Sequence, residues 1–188
     1  MDHRLDAADG AAGLLRAAAD LPDDAARAEI DRWVAGRGGP AEALVEALPE
    51  VDDTARALGF RALLRIGAGA ADAVGTLAGH DELDPWVAVW RVDAAVADAA
   101  EVDCAGDPER FVRLLGAVLG LWGPQAVTGW VAPVAGKARP AVMTGSAWRV
   151  RRPETETVLA AIGSLHPDET VSRAARKALF KHRSSRGS

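Results

Sequence analysis

A short acidic-start pattern that recurs along the chain constrains its fold more than any other feature. Asp23-Asp24-Ala25-Ala26-Arg27-Ala28 returns 29 residues later as Asp52-Asp53-Thr54-Ala55-Arg56-Ala57, and Arg32 then falls on Arg61. A third copy starts at Asp168-Glu169-Thr170, a further 116 residues on. Its alignment with the second runs without gaps, pairing Ala55 with Val171, Arg61 with Lys177, Ala62 with Ala178, Leu63 with Leu179, Leu64 with Phe180 and Arg65 with Lys181. A fainter copy begins at Asp84, with Val87, Ala94 and Ala95 in the places of Ala55, Ala62 and Leu63. Repeats of this size are single supersecondary units that bury their apolar faces against one another.

Each copy reads as a helix start. An Asp there accepts hydrogen bonds from the first free N–H groups, and it suits the positive end of the helix dipole. In 53–66, Ala55, Leu58, Gly59, Ala62, Leu63 and Ile66 share one helical face, while Phe60 and Leu64 fall on roughly the opposite side. Apolar residues on two sides predict a helix held between neighbours. A second, shorter apolar segment precedes the cap in two copies, at 41–48 and 157–165, so the unit is helix, tight turn, helix. Composition agrees, since an interior with six Trp, three Phe and no Tyr must be filled largely by Ala, Leu and Val at close helix approach.

At Ala62-Leu63-Leu64-Arg65-Ile66-Gly67, and at His166-Pro167-Asp168-Glu169-Thr170-Val171 leading into Ala174-Ala175-Arg176-Lys177-Ala178-Leu179, the chain resembles HEAT-like repeats. The resemblance covers about two thirds of the chain and implies an all-α, right-handed α-solenoid of about five helix pairs. Helices are expected at 4–20, 22–35, 41–48, 53–66, 69–78, 85–99, 108–121, 124–135, 139–149, 154–165 and 168–182. These form one repeat domain over 1–183, followed by a disordered tail at 184–188. The Gly36-Arg37-Gly38-Gly39-Pro40 and Ala105-Gly106-Asp107-Pro108 breaks are the clearest, and 123–153, interrupted by several Pro and Gly, is the least regular.

The net charge of −5 conceals an asymmetry. Residues 1–107 hold 22 acidic and 9 basic side chains, a net of −13, whereas 108–188 hold 5 acidic and 13 basic, a net of +8. Such a molecule is electrically dipolar. Asp2, Asp6 and Asp9 stand where a signal peptide needs a basic start and an apolar run, and no stretch has the length and apolarity of a membrane helix. Cys104 has no second cysteine to pair with and no metal-site spacing with His. A reducing, cytoplasmic location and no membrane contact are the expectation.

Chemistry-bearing residues are few. His3, His80, His166 and His182 lack metal spacing and a framing nucleophile, and structural roles are favoured for His166 and His182. Cys104 sits among Glu101 and Asp103, whose charges would raise its pKa and blunt it as a nucleophile. The Gly67-Ala68-Gly69-Ala70 run lacks the Lys and Ser/Thr of a phosphate loop. No catalytic residue, metal or cofactor is assigned.

Candidate contacts to a partner are Trp90-Arg91, echoed by Trp148-Arg149, together with Arg151, Arg152, Arg173, Lys177 and Lys181. Trp at helical spacing usually fills a core, and a charge run is usually a solvated face. The count that favours function is in residues 171–186, which hold six basic residues and no acid. Arg173, Lys177 and Lys181, at i, i+4 and i+8, are expected to form one positive stripe.

The leading expectation is a non-catalytic scaffold that binds a protein partner on its helical surface. The alternative is nucleic-acid binding through the basic C-terminal half. Some proteins of HEAT-like architecture are DNA glycosylases acting on alkylated bases, for which Trp86, Trp90, Arg91 and Asp93 are the nearest residue types here. A lyase or lyase-like chaperone for a pigment has only the fold in its favour.

Overall fold

The structure is a computed structural model, and it describes residues 10–185. All regular structure among these residues is helical. By contacts the chain divides into two compact units, Met1–Val96 and Ala97–Ser188.

The N-terminal unit contains α1 (Gly10–Ala19), α2 (Asp23–Ala35), α3 (Pro40–Ala47), α4 (Asp53–Ile66), α5 (Ala71–Gly75) and α6 (Asp84–Asp93). α4 is its hub and touches α1, α2, α3 and α6. Asp52 caps it, its side chain accepting from the Ala55 N–H at 2.9 Å. Both predicted sides of this helix are covered. Ala55, Gly59, Ala62 and Leu63 are buried on one side, and Phe60 is buried on the other, stacked on Trp86 of α6 with centroids 5.8 Å apart. At Gly59 the neighbours come so close that an added Cβ would lie 2.7 Å from Leu48 Cδ2 and 3.1 Å from Leu15 Cδ1. Arg56, also buried, donates to the carbonyls of Leu48 and Val51, which fixes the turn before α4.

The C-terminal unit contains α7 (Pro108–Trp122), α8 (Pro124–Ala135), α9 (Pro140–Ser146), α10 (Thr155–Leu165) and α11 (Glu169–Ser184). α7 and α8 are separated only by Gly123 and pack together, as do α10 and α11 across a three-residue turn, so both are αα-hairpins. α7 and α8 also touch α10, and α9 lies against α11. The α10–α11 pair is clasped at Gly163, whose carbonyl accepts from Ser172 Oγ at 2.7 Å and from Arg176 at 3.0 Å.

Several boundaries differ from those the sequence predicts. The helix expected at 85–99 ends at Asp93, where Ala95 takes a left-handed φ of 56°. Residues 99–102 form a separate tight turn started by Asp98. The segment expected as 139–149 is α9 followed by a tight turn over Ala147–Arg149, and that expected as 69–78 is reduced to α5 after a turn at Gly67–Ala70. Asp23 and Asp84 do not cap. Each lies inside the first turn of its helix, beside Pro22 or Pro85, where the dipole still favours an acid. α11 runs to Ser184, and Ser185 donates to the His182 carbonyl, so helical order enters the stretch expected as a tail. The rest of that tail, 186–188, and the expected helix start at 4–9 with His3 lie outside the described residues.

Candidate functional site

The predicted site residues separate by unit. Trp90 lies on α6 in the N-terminal unit and is completely buried, so its ring belongs to the core. Arg91, its neighbour, is half-buried. Trp148, Arg149, Arg151, Arg152, Arg173, Lys177 and Lys181 all belong to the C-terminal unit.

Around Trp148 several of these meet. The Arg149 guanidinium stands 4.9 Å and the Lys181 ammonium 5.4 Å from the centre of the Trp148 ring, both within cation–π range. Residues 148–153, which follow α9, are thereby held against the last turns of α11. Arg151 donates to Ser185 Oγ at 3.0 Å, and the Trp148 carbonyl lies 3.1 Å from His182 Nδ1. A carbonyl only accepts, so that ring nitrogen carries the proton.

α11 presents two unlike sides. Val171, Ser172, Ala175, Ala178 and His182 are buried. Arg173, Arg176, Lys177, Phe180 and Lys181 are exposed. Arg173, Lys177 and Lys181 do reach solvent as a row, although Arg173 lies 3.6 Å from Glu169 and Arg176 pairs with the same carboxylate at 2.8 Å. Arg183 is engaged with Glu156.

Sequence reasoning missed two residues of this region. Phe180 is 72% exposed, an aromatic ring among cations, and its alignment with half-buried Leu64 gave no warning. The sequence favours a structural role for His182, and its Nδ1 contact is structural, yet its Nε2 is buried without a hydrogen-bond partner among the described residues. It lines a cavity of about 360 Å³ with Arg151, Arg152 and Pro153.

The other candidates have structural places. His166 Nδ1 accepts the Asp168 N–H at 3.1 Å in the α10–α11 turn. The Asp168 carboxylate caps α11, and the Thr170 N–H that it accepts holds its pKa below the usual carboxylate range. Cys104 is buried, and burial is the first cause that pushes its thiol up; the Gly106 N–H opposes this and the Asp103 charge adds to it. The direction matches the sequence expectation, but desolvation rather than neighbouring charge leads. Among the described residues, no three His, Cys, Asp or Glu side chains gather as a metal site, and no helix is long and apolar enough to cross a membrane. No protein-family model, curated protein or solved structure matches the chain.

Proposed function

We propose that this chain is a non-catalytic binding protein of HEAT-like helix pairs that holds an acidic, partly apolar segment of a protein partner on the exposed side of α11. The observation that carries the reading is Phe180, left 72% exposed on a helix whose neighbouring surface is cationic. An aromatic anchor ringed by charge is the composition of a binding hot spot, in which the ring supplies buried area and the cations steer and orient. The HEAT-like assignment is supported by the gapless correspondence of α4 with α11. Both are Asp-capped, both follow a short packed helix, and both bury Ala at one aligned position, Ala62 and Ala178. Cytoplasmic residence suits the lone, unpaired Cys104.

The nucleic-acid alternative, with a glycosylase-like site at Trp86 and Trp90, is less well supported. Those rings are 7% and 0% exposed and are packed as core. The test is affinity capture by the full chain, with direct measurement against the captured protein and against DNA and RNA over a salt series. Phe180→Ser and the triple reversal Arg173→Glu, Lys177→Glu, Lys181→Glu should each abolish the protein interaction with nearly unchanged melting temperatures. Wild-type binding should weaken as salt rises. Equal partner affinity for wild type and triple reversal would refute the reading. Tight DNA or RNA binding lost on reversal would move the function to nucleic acid.

A further inference from the structure

We propose that the partner held on α11 is a second copy of this chain, whose α3 and the turn after it lie along the exposed side of α11. The inference rests on the reading of α11 as a partner-binding face and names the occupant of that face. α11 presents Arg173, Lys177, Phe180 and Lys181 to solvent, at i, i+4, i+7 and i+8. The segment 40–50 carries the same spacing with the opposite charge. Glu42, Glu46, Pro49 and Glu50 stand at i, i+4, i+7 and i+8, and all four are exposed. Four residues of α-helix rise about 6 Å, so Glu42 and Glu46 meet Arg173 and Lys177 at one interval. α3 ends at Ala47 and continues as a 3-10 turn over Leu48–Glu50. Side chains three apart eclipse in such a turn, which keeps Pro49 in line with Glu46.

The charges of both rows are largely unspent. Several acids elsewhere in the N-terminal unit are in use, Asp31 with Arg65 and Arg27, Glu29 with Arg32, and Asp53 with Arg56. By contrast the carboxylates of Glu42, Glu46 and Glu50 have no cation partner among the described residues. On α11, Arg173 shares Glu169 with Arg176, whereas Lys181 leans only on the Trp148 ring and Lys177 has no acid partner among the described residues. Lys177 and Lys181 therefore have the most to give.

Exposed ion pairs are individually weak, so charge steers two copies together and sets their register without holding them. Phe180, 72% exposed, supplies the apolar area that holds. Its mate fixes the direction. With the helices parallel, Phe180 covers the exposed Pro49 while Lys177 meets Glu46 and Lys181 meets Glu50. Antiparallel helices match the charges equally but set Phe180 over Ala43, which is half-buried and offers less apolar surface. The two faces differ, so the contact is head to tail, and each copy offers one of each. The unit that carries α3 is net acidic and the unit that carries α11 is net basic, which favours the same pairing at longer range.

The test is sedimentation velocity on the full chain over a concentration series at low and high salt. Wild type should gain mass with concentration and lose it with salt. Lys177→Gln with Lys181→Gln keeps the α3 face, and Glu46→Gln with Glu50→Gln keeps the α11 face. Each double variant alone, and Phe180→Ser, should self-associate about tenfold or more weakly than wild type while melting like it. Mixed together, the two double variants should form a one-to-one dimer and stop there, because each has one face left. Lys181→Glu should pair with a Glu50→Lys chain and not with a Glu42→Lys chain, and the reverse preference overturns the parallel register. A wild type that stays monomeric throughout overturns the second copy as partner. If a different protein is then captured and lost on reversal of Arg173, Lys177 and Lys181, the α11 face stands with another occupant. Self-association that ignores both double variants and Phe180→Ser overturns the inference and the reading of α11 together.

Discussion

At Gly136 a single residue carries much of the join between the 98–107 segment and α8. Its φ of 55° is one that side-chain-bearing residues rarely adopt, and a Cβ there would fall inside the Asp103 carboxylate. Asp103 cannot easily retreat, because Oδ1 accepts the Ala105 N–H at 2.8 Å, and the adjacent Cys104 N–H donates to the Val134 carbonyl at 2.8 Å. Gly136→Ala should therefore lower stability by about 3 kcal/mol, read as a drop in melting temperature. By contrast Gly129→Ala, where an added Cβ meets nothing within 4 Å, should leave stability unchanged or slightly raised, since Ala is the better helix former. Melting both variants side by side checks the assignment.

Helix α11 and helix α4 share a start and a buried face, and predictions at the scale of the element follow from that likeness. Ala62 and Ala178 occupy aligned positions and are each 1% exposed. Replacing either with Glu buries an unpaired charge and should cost more than about 3 kcal/mol, whereas Lys177→Glu on the exposed side of α11 should change stability by no more than about 0.5 kcal/mol. Denaturant melts that failed to separate the first two variants from the third would break the alignment. The Asp168 cap adds a pH dependence. Its carboxyl is more acidic in the folded chain than in the unfolded one, so its contribution is complete above the unfolded value, about 3.9, and is lost as pH falls through the lower folded value. Asp168→Asn keeps the capping oxygen and removes the charge. The wild type should be the more stable at neutral pH, and the two should converge in acid, as paired melts across the acid range would show.

For the molecule as a whole, the two packing units carry opposite net charge, although the acidic stretch Asp98, Glu101, Asp103 and Asp107 belongs to the C-terminal unit. The unit Met1–Val96 holds 18 acidic and 9 basic residues, a net of −9, and the unit Ala97–Ser188 holds 9 acidic and 13 basic, a net of +4. The total of −5 at pH 7 therefore misdescribes how the protein meets a polyanion. It should be retained on a heparin column near neutral pH and eluted by moderate salt, and the triple reversal at Arg173, Lys177 and Lys181 should pass through unretained. Wild type flowing through at low salt would show that the cations of α11, some of them already engaged with Glu169, present no usable field.

What the sequence determined by itself is local. Asp52 and Asp168 cap helices, Pro108, Pro124 and Pro140 stand in first turns, and Gly67, Gly123 and Gly136 end helices with positive φ, because each of these effects is decided within a few residues. The buried stripe of α4 and the buried stripe of α11 were legible for the same reason, since periodicity along one helix shows which side is apolar. Tertiary structure alone decided how many sides of a helix are covered. Leu64 and Phe180 are aligned residues, yet Leu64 is half-buried on α4 while Phe180 is exposed on α11. Tertiary structure also separated the two Trp-Arg-Val triplets, placing Trp90 in a core and Trp148 beneath two cations, and it brought His182 against Arg152 from 30 positions away in the sequence. Burial and cavity walls depend on residues remote in the chain, and a pattern read along one helix carries no record of what packs across from it.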